Sequence, residues 1–167
     1  MPDASVAQVR RWFEYEKASH AKVLAALAAV PESKRDESFG KAVSLFAHLM
    51  AARQLWLFRF GVRKEAPAEF FPEGVSLDEL AARIERTQAE WSAYLDQLTQ
   101  EELGRTFTYK SLDAGWFKNR IEDILTQLFG HSLYHRGQIA LLLRLAGAEP
   151  VSTDFVYYTR EAVPEPA

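Results

Sequence analysis

Apolar residues recur at three- and four-residue intervals in four long stretches of the chain, the spacing that lines one face of a helix. The first runs from about Ser5 to Val30 through Val6, Val9, Phe13, His20, Leu24 and Leu27, and Pro31 stops it. The second spans about Ser38 to Phe60, with Leu45, Ala52, Leu55 and Trp56 on one side and Gly61 as its stop. A loop follows, VRKEAPAEFFPEGV, with two prolines and the adjacent Phe70 and Phe71. Ser76 followed by Glu79 has the spacing of a capping box, and Leu77, Leu80, Ile84, Trp91, Leu95 and Leu98 continue a third helix. Thr99 and Glu102 repeat that spacing for a short turn. RTFTYKSLDAGWFKN then alternates like a small hairpin turning at Asp113 to Gly115. The last helix is predicted over about Arg120 to Leu145, with Gly147 as a left-handed cap and Pro150 just beyond. The tail, rich in Tyr and Pro, is expected to be irregular.

Four such helices predict an all-α four-helix bundle with a long loop between the second and third helices and a β-hairpin before the last. At 167 residues and 48% hydrophobic, the chain has material for one core, so residues 1–167 are expected to form a single domain. With 20 Lys and Arg against 23 Asp and Glu and no long basic run, nucleic acid is not an expected partner. Charged residues interrupt every apolar stretch, so no membrane span is expected. The opening residues lack the apolar core of a signal peptide, which makes the cytoplasm the expected location. Zero cysteines rule out a disulfide framework, a cysteine zinc site and a cysteine nucleophile.

The chemistry concentrates in histidines. At one hundred degrees per residue, the face of the last helix centred on His131 also carries Ile124, Leu128, His135, Leu142 and Ala146, so both imidazoles look inward. An inward histidine is often no more than a hydrogen-bonded core residue. An i, i+4 pair, however, can reach one cation, and imidazole suits Zn, Ni, Co, Cu or Fe. A third ligand must come from another helix, and His48 is the first choice: its face carries Ser44, Ala51 and Ala52, small side chains that leave room. Gln138 lies close to the ligand face and can bond a ligand or bound water. Gly137 would let another helix or subunit approach, and Arg136 points away as a salt-bridge or interface residue.

The string FGHSLYHRGQIALLLRLAG with Pro150 and Asp154 resembles the C-terminal signature of the DinB/YfiT-like superfamily, and HRGQ is its most specific part. The likeness extends to a histidine in the middle of the second helix and to the hairpin. It implies a three-histidine metal site on His48, His131 and His135. Relatives often carry Y-x-x-W-x-N in the first helix, where this chain keeps Tyr15 but has Ala18 and His20. Gly130 also stands where relatives commonly have asparagine. His20, one turn from Glu16, reads as a core histidine paired with Glu16, with a supporting or proton-shuttling role beside the site as the alternative.

Three histidines leave an ion with open positions, the pattern of a reactive site. The resemblance implies thiol-dependent transferase or isomerase chemistry. The leading expectation is therefore an enzyme that uses a divalent metal, Zn or Ni first with Fe, Co or Mn as alternatives, to activate a low-molecular-weight thiol cosubstrate or water toward a small-molecule substrate. Catalytic residues are otherwise unknown, with His20 and Glu16 as candidates. Gln138 and Trp56 are candidate binding residues, and Phe70, Phe71 and Trp116 are candidate pocket walls, although aromatics at such positions commonly serve the core. A metal-dependent hydrolase, or a non-enzymatic stress-responsive binding or dimerisation module with a structural metal, are the alternatives. Paired Glu-x-x-His motifs and HExxH are both missing, which argues against ferritin-like di-iron and zincin protease chemistry. The resemblance and Gly137 make a homodimer the expected assembly.

Overall fold

The computed structural model describes residues 5–112 and 114–163. Four long helices dominate it: α1 (Val6–Ala28), α2 (Glu37–Arg59), α3 (Leu77–Gln97) and α5 (Ile121–Leu145). Between α3 and α5 lie a short α4 (Gln100–Gly104) and a two-stranded antiparallel hairpin, β1 (Thr106–Lys110) and β2 (Trp116–Arg120), paired from Thr106 with Arg120 to Lys110 with Trp116. Asp113, at the expected hairpin turn, lies outside the described residues, as do the last residues of the tail. Among the described residues no helix is long and apolar enough to cross a membrane.

The helix ends follow from local chemistry. The Ser5 and Asp36 side chains accept from the backbone N–H groups of Gln8 and Phe39. Ser76 and Glu79 complete a reciprocal capping box. The second box expected at Thr99 is only half made: Thr99 caps Glu102, but the Glu102 carboxylate takes both its bonds from Arg105 at 2.7 Å. Charge assistance outweighs a neutral N–H there. Gly61 and Gly147 hold φ of +76° and +70°, and the following N–H groups return to Leu57 and Leu143 at 2.9 Å, closing α2 and α5 with left-handed caps.

Two apolar clusters fill the bundle. One joins Val23 and Leu27 of α1 to Phe46 and Met50 of α2, Leu80 and Ile84 of α3, and Ile139 and Leu143 of α5. The other joins Val9 and Phe13 to Leu57, Trp91, Leu95, Leu125 and Leu128. The early turns of α1 and α5 thus meet the late turns of α2 and α3, so α1 and α5 run one way and α2 and α3 the other. Because α2 and α3 are parallel, the chain between them must return along the full bundle, about 30 Å for a helix of this length. That return accounts for the long segment from Phe60 to Ser76, and it carries Phe70 and Phe71 past the middle of α2.

Between the clusters each long helix contributes polar side chains that are nonetheless buried: Tyr15, Glu16, Ser19 and His20 from α1, Arg53 and Gln54 from α2, Thr87 from α3, and Ser132 and Arg136 from α5. Arg53 forms an ion pair with Glu16. Arg136 donates to the Tyr15 hydroxyl and to Ser132, and Gln54 donates to Thr87 at 2.8 Å. Two sequence expectations are corrected here. His20 is a core residue, but its partners are Ser132 at 3.2 Å and Gln88 at 3.4 Å, because Arg53 takes the Glu16 carboxylate. Arg136 has no surface role: it is 2% exposed and stacks on Tyr15. The tail is not wholly irregular either. A short α6 (Phe155–Thr159) sets Phe155 and Tyr158 edge-on to Tyr15, whose hydroxyl donates to the Thr153 carbonyl.

Candidate metal centre

The most extensive helix contact in the bundle is α2 against α5, and it brings His48 of α2 to His131 and His135 of α5. Each of the three offers one ring nitrogen, and these nitrogens lie within 4.8 Å of one another. His48 is 5% exposed and the other two are partly buried. Nε2 of His131 and Nε2 of His135 are 2.9 Å apart. Around a tetrahedral ion with imidazole bonds of 2.0–2.1 Å that separation would be about 3.3 Å, so a small rotation of either ring admits a cation.

The other nitrogens fix the rings. His48 Nδ1 lies 2.7 Å from the Phe70 carbonyl, to which it donates, so the ring is the Nδ1–H tautomer. His135 Nδ1 lies 2.7 Å from Gln138 Oε1 and donates to it in the same way. Both bonds leave Nε2 as a lone pair facing the site, the usual way in which an outer partner orients a metal-binding imidazole. Phe71 stacks on the His48 ring at 4.3 Å and 7°, and Phe70 meets it edge-on at 4.8 Å. The return segment therefore holds His48 from outside the bundle.

Electrostatics keep the rings available. Burial pushes the His131 pKa down to about 4, assisted by His135, His48 and Arg53. Burial also lowers His48, against the pull of its bond to Phe70. Neutral imidazole is the ligating form, so the donor set fits a divalent cation. A cleft of about 870 Å³ opens beside the triad, with His48, Phe71 and Gln138 on its wall, Val43, Leu45 and Leu142 along its sides, and Lys41 paired with Glu37 at 2.6 Å on its rim.

The other sequence candidates fall in different places. Glu16 and His20 are held in the polar layer and are not on the wall of this cleft. Trp56 lines a separate cleft on the far side of Phe71, and Trp116 is 72% exposed. Among the described residues nothing lies within 4 Å of the space a Gly137 Cβ would take, so no described helix of the same chain uses the approach that glycine permits. Arg53 was missed by the sequence reading, although a charged residue inside the apolar run LFAHLMAARQLWLF was a signal. The Phe70 carbonyl had no such signal, since it depends on where the return segment passes.

A helical bundle with three convergent imidazoles beside an open cleft is the arrangement of a protein that could hold a metal ion. The chain matches the DinB family over residues 1–166 and belongs to it. It is 27% identical over 86 residues to Protein DinB of Bacillus subtilis (strain 168), covering 52% of this chain. The match spans about half (49%) of that relative's length.

Proposed function

We propose that this protein is a metal-dependent enzyme that activates a low-molecular-weight thiol, or water, at His48, His131 and His135, as an S-transferase does. The observation that carries the reading is the placement of three ring nitrogens within 4.8 Å of one another beside an open cleft whose wall includes His48. A divalent ion held there, Zn or Ni in the first instance, supplies a Lewis acid that draws the pKa of a bound thiol or water toward neutrality. The protein's own contribution is positional. Phe70 and Gln138 hold the tautomers of His48 and His135, Phe71 fixes the His48 ring, and the apolar sides of the cleft keep bulk water from a small-molecule substrate.

The thiol is favoured over hydrolysis because a hydrolase would want a general base beside the water. Glu16 is engaged by Arg53 and His20 by Ser132, and neither faces the cleft. A thiol, with an ordinary pKa already close to neutrality, needs less help from the cation than water does to become a nucleophile. The exposed α5 residues Leu133, Leu141 and Leu145, with the open Gly137 among them, support a homodimer. The test incubates metal-loaded protein with glutathione, cysteine or other small thiols and monobromobimane. Turnover that is lost in His131→Ala supports the proposal. Ester hydrolysis without thiol would favour the hydrolase, and chelation that unfolds a protein inert toward both substrates would favour a structural ion.

A further inference from the structure

A second cleft, of about 540 Å³, lies across Phe71 from the first and is walled by α2 from Ala52 to Arg59, by Phe70 and Phe71, and by Tyr109 of the hairpin. His48, Ala52, Leu55 and Arg59 follow at i, i+4, i+7 and i+11, one stripe of α2. The stripe leads from the histidine triad to the guanidinium.

Arg59 is fixed in an unusual setting. Its Cζ lies 4.6 Å from the Trp56 ring centre and 4.9 Å from that of Tyr109, and Nη2 donates to the Lys110 carbonyl at 3.0 Å. Around the same end of the bundle Arg63, Arg105 and Arg120 each pair with a glutamate. Among the described residues Arg59 pairs with no carboxylate, and it is the only charged side chain lining the cleft. Partial burial draws its pKa below the ordinary arginine value. A held, half-buried guanidinium with apolar walls is a receptor for one planar anion. A phosphate dianion would call for further cations that this cleft does not provide.

We propose that Arg59 binds the carboxylate of an elongated organic acid whose apolar or aromatic body lies along Ala52 and Leu55. The eleven residues from His48 correspond to about 16 Å of helix rise, and the arginine stem leans back over Trp56. The acid and its reacting group are therefore separated by roughly 10–15 Å. Placing the reacting group at the triad rests on the enzymatic reading above, whereas carboxylate capture at Arg59 does not.

The test uses aryl-alkyl carboxylates from 4-phenylbutyrate to 8-phenyloctanoate, each beside its primary amide. They are titrated calorimetrically into the full-length protein as purified and after metal removal. At least one carboxylate binds the metal-free wild type tenfold or more tightly than its amide, and Arg59→Gln abolishes that preference while leaving metal uptake unchanged. Equal binding of acids and amides by the wild type overturns the proposal without recourse to any variant. So does a preference that survives in Arg59→Gln, or one that disappears with the metal, since the acid would then be held elsewhere. A protein that takes up no metal yet discriminates through Arg59 would sink the enzymatic reading and leave this site standing.

Discussion

Replacing Glu16 with glutamine removes the one carboxylate that pairs with Arg53 in the buried polar layer. Both partners are nearly inaccessible, at 4% and 5% exposure, so solvent cannot take over the counter-charge. The same carboxylate also acts favourably on Arg136, which is 2% exposed. Removing one partner of such a pair costs about 3–5 kcal/mol, because the remaining charge stays buried and uncompensated. For a chain of this length each kcal/mol moves the melting temperature by about 2–4 °C, so Glu16→Gln is expected to melt roughly 6–20 °C lower. Thermal unfolding in EDTA, followed by far-ultraviolet circular dichroism, measures the effect free of metal. The double variant Glu16→Leu/Arg53→Met should regain most of the loss, since apolar replacement of a whole buried pair is often neutral. A Glu16→Gln shift of under 2 °C would show that water reaches the layer and that the polar contacts across the four helices are not what joins the two apolar clusters.

Burial holds His131 and His48 below the ordinary histidine value of 6.5. The folded chain thus binds fewer protons than the unfolded one, and stability of the metal-free protein is full above about pH 6.5 and falls as pH drops toward 4. Urea midpoints measured from pH 8 to pH 4 test this, and a flat profile contradicts it. Gln138→Ala should weaken metal binding by about 10–100-fold through the freed His135 ring, with little loss of stability, read by competition with a chromogenic chelator. Phe71 is 70% exposed, so Phe71→Ala should cost about 1 kcal/mol or less while loosening His48 and lowering metal affinity. Sedimentation equilibrium tests the homodimer: Leu141→Glu should give monomers, and an unchanged wild-type monomer would remove that proposal.

Elements with a strong period or a local chemical signature could be read from the sequence, and those that depend on distant chain segments could not. The four long helices and the Ser76 capping box depend on residues within a turn or two of one another, and they lie close to their expected bounds. His131 and His135 share a face by spacing alone. Their meeting with His48 needed the likeness to a family as well, because periodicity says which face is inward but not which helices touch. The polar layer was the least legible feature. Glu16, Arg53 and Arg136 belong to types usually found in solvent, and each is buried only because the others are. The helix at Phe155 was missed for a related reason: five residues have little helical preference of their own, and it is the Tyr15 ring that gives Phe155 and Tyr158 a surface to pack on. At Thr99 the capping pattern was present, but Arg105 competed for its carboxylate.

The central claim is that three imidazoles from two helices hold one exchangeable divalent ion. Elemental analysis of protein purified without an affinity tag, dialysed against a single metal and compared with the His131→Ala/His135→Ala double variant, tests it most directly. The account predicts one ion per wild-type chain and essentially none in the variant, with matching circular dichroism spectra. Equal metal content in the two proteins, or a wild type that retains no ion, would contradict it.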